Sequence, residues 1–215
     1  MNLREVTELM DWKRQVFESY SQVRSTYDPE TAWLVWREER DRLFRSHPQS
    51  PLPANVRASF NSLELFDYDP AFRALGRASP MEERSYEIAT SDGGAYRFTR
   101  FAEARFELLG SRHSLELYWL EGYGGGIFLP FRDETSGAST YGAGRYLLDT
   151  VKGADLGEID GRLVLDFNFA YNPSCSYDPR WVCPLAPAPN HLEIEITAGE
   201  RHGSGEPSSG SPDVR

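Results

Sequence analysis

The sequence predicts a mainly β fold with N-terminal helices (α+β): an antiparallel β-barrel or sandwich of about eight strands capped by two helices. Three observations predict it. Two stretches with apolar residues at helical spacing precede a proline-rich connector. After Arg84 the apolar pattern changes to alternation, the period of a strand. Glycine-rich turns then divide the chain into short runs with no helical stretch between them, the pattern of an antiparallel sheet rather than of βαβ units.

The first helix is expected from Asn2 to about Arg24, where Val6, Met10, Phe17 and Tyr20 recur on one face with Val16 and Val23 beside them. Asp28 can cap a second helix and Pro29 can occupy its first position. Its stripe of Trp33, Trp36, Leu43 and Phe44 opposes Arg37, Glu38, Glu39 and Asp41. The helix must stop near His47, because Pro48 disfavours helical geometry in the residue before it. Residues 48–53 form the connector, and residues 60–72, with Phe66, Tyr68 and Asp69-Pro70, read as an irregular strap. Tyr86 and Ile88, the turn Ser91-Asp92-Gly93-Gly94, then Tyr96 and Phe98 form a hairpin signal. Further strands are expected at 104–109, 114–121, 126–131, 146–151, 163–169 and 192–197. The predicted organisation is a helical segment over 1–47, a β domain over 48–198 and a disordered tail over 199–215, rich in Gly, Ser and Pro.

Composition narrows the partners. The 215 residues are 40% hydrophobic and 13% aromatic, which is enough for a buried core. Lys and Arg number 23 against 33 Asp and Glu, for a formal net charge of -10. That field repels phosphate backbones and anionic lipid, so neither nucleic acid nor a membrane surface is an expected partner. No apolar run approaches the roughly 20 residues that span a bilayer, and the N-terminus carries no signal-peptide pattern, so the expected location is cytoplasmic.

The informative residues lie between Gly122 and Pro187. The cluster Gly122-Tyr123-Gly124-Gly125-Gly126 permits close backbone approach but lacks the order of a phosphate loop. Gly142 and Gly144 flank a bend that can turn Tyr141 and Arg145 toward one cavity. Arginine's fixed fork of donors suits a carboxylate or phosphate, and equally a structural pair with Asp133, Asp149 or Asp166. If residues 163–169 form one strand, Leu163, Leu165, Phe167 and Phe169 share a face, and Val164, Asp166 and Asn168 share the other. Tyr171 and Asn172 follow and add polar groups at the mouth of a cavity.

Cys175 and Cys183 are the only cysteines, eight positions apart. With His191 they make three candidate metal ligands at a spacing unlike a zinc knuckle, so no metal is expected. A disulfide, two buried thiols, or Cys175 as a nucleophile with His191 as its base remain open.

Four stretches go further: Tyr-Gly-Gly-Gly-Ile-Phe-Leu-Pro-Phe-Arg-Asp-Glu-Thr-Ser-Gly (123–137), Thr-Tyr-Gly-Ala-Gly-Arg-Tyr (140–146), Asp-Phe-Asn-Phe-Ala-Tyr-Asn-Pro-Ser-Cys (166–175) and Cys-Pro-Leu-Ala-Pro (183–187). They resemble a family of conserved prokaryotic proteins catalogued as a domain of unknown function. The resemblance extends through Asn190-His191-Leu192 and Ala198-Gly199-Glu200, and back to Trp36-Arg37 and Ser50-Pro51-Leu52. It singles out Asp133, Thr135, Ser136, Thr140, Tyr141, Arg145, Asp166, Asn168, Tyr171, Asn172, Cys175 and Glu200. It implies no settled reaction, and it leaves the cofactor unknown. The chain differs from longer members in lacking a glycine-rich β segment before the Phe66 region.

Three functions follow from these residues. The leading expectation is a pocket for a small anionic molecule, with Arg145 taking the anion and Tyr141, Asp166, Asn168, Tyr171 and Asn172 shaping it. The second makes the pocket catalytic, with Asp166 or Cys175 as the hydrolase-like group. The third is an interaction protein that docks through Trp33 and Trp36, set against the expectation that those rings cover the sheet.

Overall fold

The computed structural model describes residues 2–202. Helix α1 (Leu3–Ser25) begins where Asn2 Oδ1 accepts the Arg4 N–H. Helix α2 (Pro29–Ser46) begins where Asp28 accepts the Thr31 N–H at 2.8 Å, with Pro29 in the first turn. It ends at His47, ahead of Pro48. A short helix, α3 (Ala54–Arg57), follows the proline-rich connector. The strap then leads to a single 3-10 turn at Pro70–Phe72.

Eight strands follow: β1 (Arg73–Ala89), β2 (Ala95–Leu108), β3 (Ser111–Leu120), β4 (Ile127–Asp133), β5 (Arg145–Asp149), β6 (Glu158–Ile159), β7 (Arg162–Asp166) and β8 (His191–Leu192). Their order is β5-β4-β3-β2-β1-β7-β6, antiparallel throughout, with β8 adding in parallel to β4. The α+β class and the eight strands match the prediction, but the sheet stays open. Backbone bonds between Tyr146 and Tyr171, 2.9 and 3.1 Å, occupy the outer side of β5 at that point. The C-terminal segment therefore covers an edge that a closed barrel would have paired with a strand.

The two faces carry two cores. On one, Ala104, Phe106, Leu117, Leu129, Phe131 and Leu165 pack together. On the other, Phe98, Tyr118, Phe128, Tyr146 and Val164 meet the helices through Tyr20, Trp33 and Trp36. Alternation sorts neighbours between them: Leu117 from Tyr118, Phe128 from Leu129, Val164 from Leu165. Prolines sit where the ladder slips, Pro80 in β1 and Pro130 in β4, as a residue without an N–H must. Trp36 is 1% exposed, and Trp33 Nε1 donates to the Asn168 carbonyl at 2.9 Å. The helical stripe thus covers the sheet and is not a docking face.

Three expectations need correction. The alternation expected over 163–169 breaks at Asp166, whose side chain accepts the Asn168 N–H at 3.1 Å and turns Phe167–Phe169 into a 3-10 helix. Phe167 and Phe169 consequently enter opposite cores. The run at 192–197 contributes a strand only at its first residue. The C-terminal boundary also moves: Glu200 N–H donates to the Ala170 carbonyl at 2.8 Å, Arg201 N–H to that of Glu64 at 2.8 Å, and His202 N–H to that of Ser139 at 3.0 Å. Gly199 sits at φ +76°, where a Cβ would stand 2.6 Å from the carbonyl oxygens of Phe167 and Ala170. The rest of the expected disordered tail lies outside the described residues.

Candidate functional site

Arg145, expected to hold a ligand's anion, is 1% exposed, and both terminal nitrogens of its guanidinium are engaged inside the protein, while Nε has no hydrogen-bond partner among the described residues. Its NH2 group lies 2.9 Å from Asp133 Oδ2 and donates to the Ile196 carbonyl at 3.0 Å, while NH1 donates to the carbonyls of Ala198 and Glu200. Asp133 in turn accepts the N–H groups of Thr135 at 2.9 Å and Ile196 at 3.2 Å. The pair fastens the C-terminal segment to β4 and β5. The anionic partner of this arginine is the chain's own Asp133, and Arg145 lines neither of the two clefts described below.

Asn168 is a second brace. Its amide accepts the Asp69 N–H at 2.9 Å and donates to the Asp69 carbonyl and to Asp166 Oδ1, each at 2.8 Å, pinning the strap to the end of β7. Asp166 has Tyr68 Oη and Arg73 Nε each at 3.5 Å. Burial pushes its carboxyl up to about 6, against these donors. Tyr141 points elsewhere, with its hydroxyl 3.9 Å from Cys175 Sγ and its ring edge-on to His202. His191, the base considered for Cys175, is instead paired at the surface with Glu134 at 2.9 Å. No group of three or more His, Cys, Asp or Glu placed to hold a metal occurs among the described residues.

The six expected ligand residues therefore do not converge on one cavity. Asp166 reaches a groove of about 290 Å³ between the α1–α2 turn and the β6–β7 hairpin, lined also by Arg24, Arg73, Glu158 and Phe169. That groove is the roomier of the two, but the buried carboxylate on it is already held by Asn168 and Arg73.

Tyr171 and Asn172 line a narrower cleft of about 60 Å³ between the helices and segment 171–174. Its walls are aromatic: Trp12, Tyr20, Phe44, Tyr146 and Tyr171. Two cations reach it. Arg40 lies over the rings of Trp36, Phe44 and Tyr171 at 5.0 to 5.2 Å and pairs with Glu200 at 2.9 Å. The half-exposed Lys152 pairs with Asp149 at 3.2 Å and lies over the Tyr146 ring.

Several buried polar atoms of the residues that line this cleft lack partners. Arg40 Nε and Asn172 Oδ1 are buried with no hydrogen bond among the described residues. Tyr20 Oη has the Trp36 indole beside it, outside hydrogen-bond geometry, and burial pushes its phenol up to about 12, so it stays neutral. Asn172 is fixed by its other atoms: its N–H donates to Glu200 Oε2 at 3.0 Å and its Nδ2 to the Arg201 carbonyl at 2.9 Å.

Sequence reasoning missed Arg40 and Lys152. A signal for Arg40 was present, since Trp36, Arg40 and Phe44 follow at steps of four and must share one stripe. Lys152, one of only two lysines, offered none.

Comparison with known proteins agrees with this picture of the fold. The family described as "Protein of unknown function (DUF1684)" matches residues 58–201. The solution NMR structure of the uncharacterized protein from gene locus rrnAC0354 of Haloarcula marismortui is similar, with 38% identity over 80% of this chain and 93% of that one and a TM-score of 0.58. No curated protein matches. No described helix is long and apolar enough to cross a membrane.

Proposed function

The chain belongs to the DUF1684 family of proteins of unknown function, and from the geometry of the cleft we propose that it binds a small anionic molecule among Arg40, Lys152, Tyr171 and Asn172. One observation carries the reading: Arg40 Nε and Asn172 Oδ1, both buried and unpartnered, belong to residues that line the same aromatic cleft. A buried polar atom left without a hydrogen bond costs roughly 1–3 kcal/mol, so a small shift of the Arg40 and Asn172 side chains toward a bound group is favoured over solvent-poor isolation. The anion belongs at Arg40 Nε and Lys152 Nζ, and a hydroxyl or amine on the same molecule suits Asn172 Oδ1. A cleft of about 60 Å³ admits a headgroup of a few heavy atoms, with the remainder of the molecule against Trp12 and Phe44.

Native mass spectrometry of gently purified protein, followed by a thermal-shift screen of small carboxylates and phosphates, tests the reading. A ligand found either way should bind Lys152→Gln about 10-fold or more weakly, the loss of one charge-assisted hydrogen bond. Equal affinity in Lys152→Gln, or no carboxylate or phosphate that stabilises the protein, would overturn it. Lys152 is the better probe because its side chain is half-exposed, whereas Arg40 is largely buried with Glu200; circular dichroism checks that Lys152→Gln, which also loses the Asp149 pair, keeps its fold.

A further inference from the structure

The remaining chemistry lies at the two cysteines, which the ligand-binding reading does not use. Cys175 sits in the 3-10 turn Ser174–Ser176 and is half-buried, while Cys183, at the far end of the same loop, is 3% exposed. Both are free thiols. The Cys175 N–H donates to Cys183 Sγ at 3.4 Å, which places the second sulfur within reach of Cys175's own side chain. The eight-residue separation is bridged by a loop whose shape is independently fixed. Trp181 Nε1 donates to the Pro51 carbonyl at 3.1 Å and Arg180 to that of Ser50 at 3.1 Å. Cys183 is fastened at its backbone, where its N–H donates to Ser91 Oγ at 3.2 Å and its carbonyl accepts the Ser91 N–H at 3.0 Å.

We propose that Cys175 and Cys183 form a thiol–disulfide exchange site for low-molecular-weight disulfides, with the accessible Cys175 as attacking sulfur and the buried Cys183 as resolving sulfur. The asymmetry of exposure assigns the roles, since an external disulfide can reach only the first of the two. The surroundings favour the same assignment. Tyr141 Oη lies 3.9 Å from Cys175 Sγ, and the Cys183 thiol and Tyr141 hydroxyl hold the Cys175 thiol below its ordinary range. Cys183 is pushed up by its neighbouring sulfur and by burial, so it keeps its proton until it is needed.

The exchange has two steps. The Cys175 thiolate attacks one sulfur of RS–SR; a Cys175–SR bond forms, the RS–SR bond breaks, and RS⁻ leaves with the electron pair and takes a proton from water. Cys183 then gives its proton to solvent and attacks Cys175 Sγ, so that the intramolecular disulfide forms and the second RS⁻ leaves. Two thiols are oxidised by two electrons, and one disulfide is reduced to two thiols.

The test uses the full chain and oxidised glutathione, read by intact mass and by peptide mapping without reduction. Wild type should lose two hydrogens and yield one peptide that links Cys175 to Cys183. Cys183→Ser should accumulate a single glutathione adduct at Cys175, and Cys175→Ser should react at least about 100-fold more slowly than wild type. Circular dichroism of each variant checks that its fold is kept. A wild-type protein that remains fully reduced at high oxidised glutathione would overturn the proposal, and that result needs no variant. So would a mixed disulfide that persists in wild type without resolving, or a Cys175→Ser variant that reacts as fast as wild type.

Discussion

Arg145 is buried beside Asp133 and holds residues 196–200 against β4 and β5. Its pattern, an arginine after a glycine bend, announces planar recognition of a carboxylate, and that is what it performs, but toward Asp133 at 2.9 Å inside the protein. The sequence could not separate the two outcomes, because Asp133, Asp149, Asp166 and an external anion offer the same oxygens. The distinction depends on which segment folds over the guanidinium, and residues 196–200, which supply three carbonyls, lie more than 50 positions away. A buried pair is costly to break from one side, since the surviving charge keeps its desolvation penalty. Arg145→Met should therefore lower stability by about 3–5 kcal/mol in urea titrations, and Asp133→Asn by a similar amount. The double variant should cost clearly less than their sum, because neither charge is then stranded. Additive losses would show that the two residues act separately.

Among the elements, β7 was legible to Asp166 and no further. Alternation continues on paper through Phe169, because the side chains obey it, but Asp166 is a residue that competes with the ladder by bonding the backbone two positions on. The helices were easier: caps, proline positions and four-residue spacings are local, and α1 and α2 lie where those signals placed them. The turn at the end of β7 also gives that element a pH dependence. Burial raises the folded-state carboxyl from 3.8 to about 6, so between those values the folded protein holds a proton that the unfolded chain has released. Stability from this group is therefore greatest at low pH and falls as pH rises through that window. The shift corresponds to a fall on the order of 3 kcal/mol. Asp166→Asn cannot titrate. The difference in unfolding free energy between wild type and Asp166→Asn should accordingly drop by that amount between pH 4 and pH 7, all of it in wild type. A difference that stays constant across the range would mean that Asp166 keeps an ordinary carboxylate value in the fold.

At the scale of the whole molecule, the open sheet is sealed by what precedes and follows it. Helices α1 and α2 cover one face, and the strap and the C-terminal segment tie themselves together across the Leu65–Glu200 bridge. The candidate cleft lies where these pieces meet, with Trp12 and Arg40 from the helices, Lys152 after β5, and Asn172 held by Glu200. That explains why the site was only half legible: Tyr171 and Asn172 stand in a recognisable stretch, but their partners come from three distant parts of the chain. It also means that the helices are not a detachable domain. Trp36 is buried against Phe169 at 5.1 Å and under Arg40, so it ties the helical layer to the turn after β7 and backs the arginine of the cleft. Truncating a buried tryptophan to alanine costs about 3–5 kcal/mol. For a chain of this length that is a fall of roughly 10 °C in midpoint. If helices and sheet form one cooperative unit, Trp36→Ala should show that fall as a single transition, with far-UV and near-UV circular dichroism coincident. A variant in which helical signal is lost first, while the sheet melts at the wild-type temperature, would show instead that the helical layer folds as a separate unit. The cleft would then be formed between two units rather than inside one.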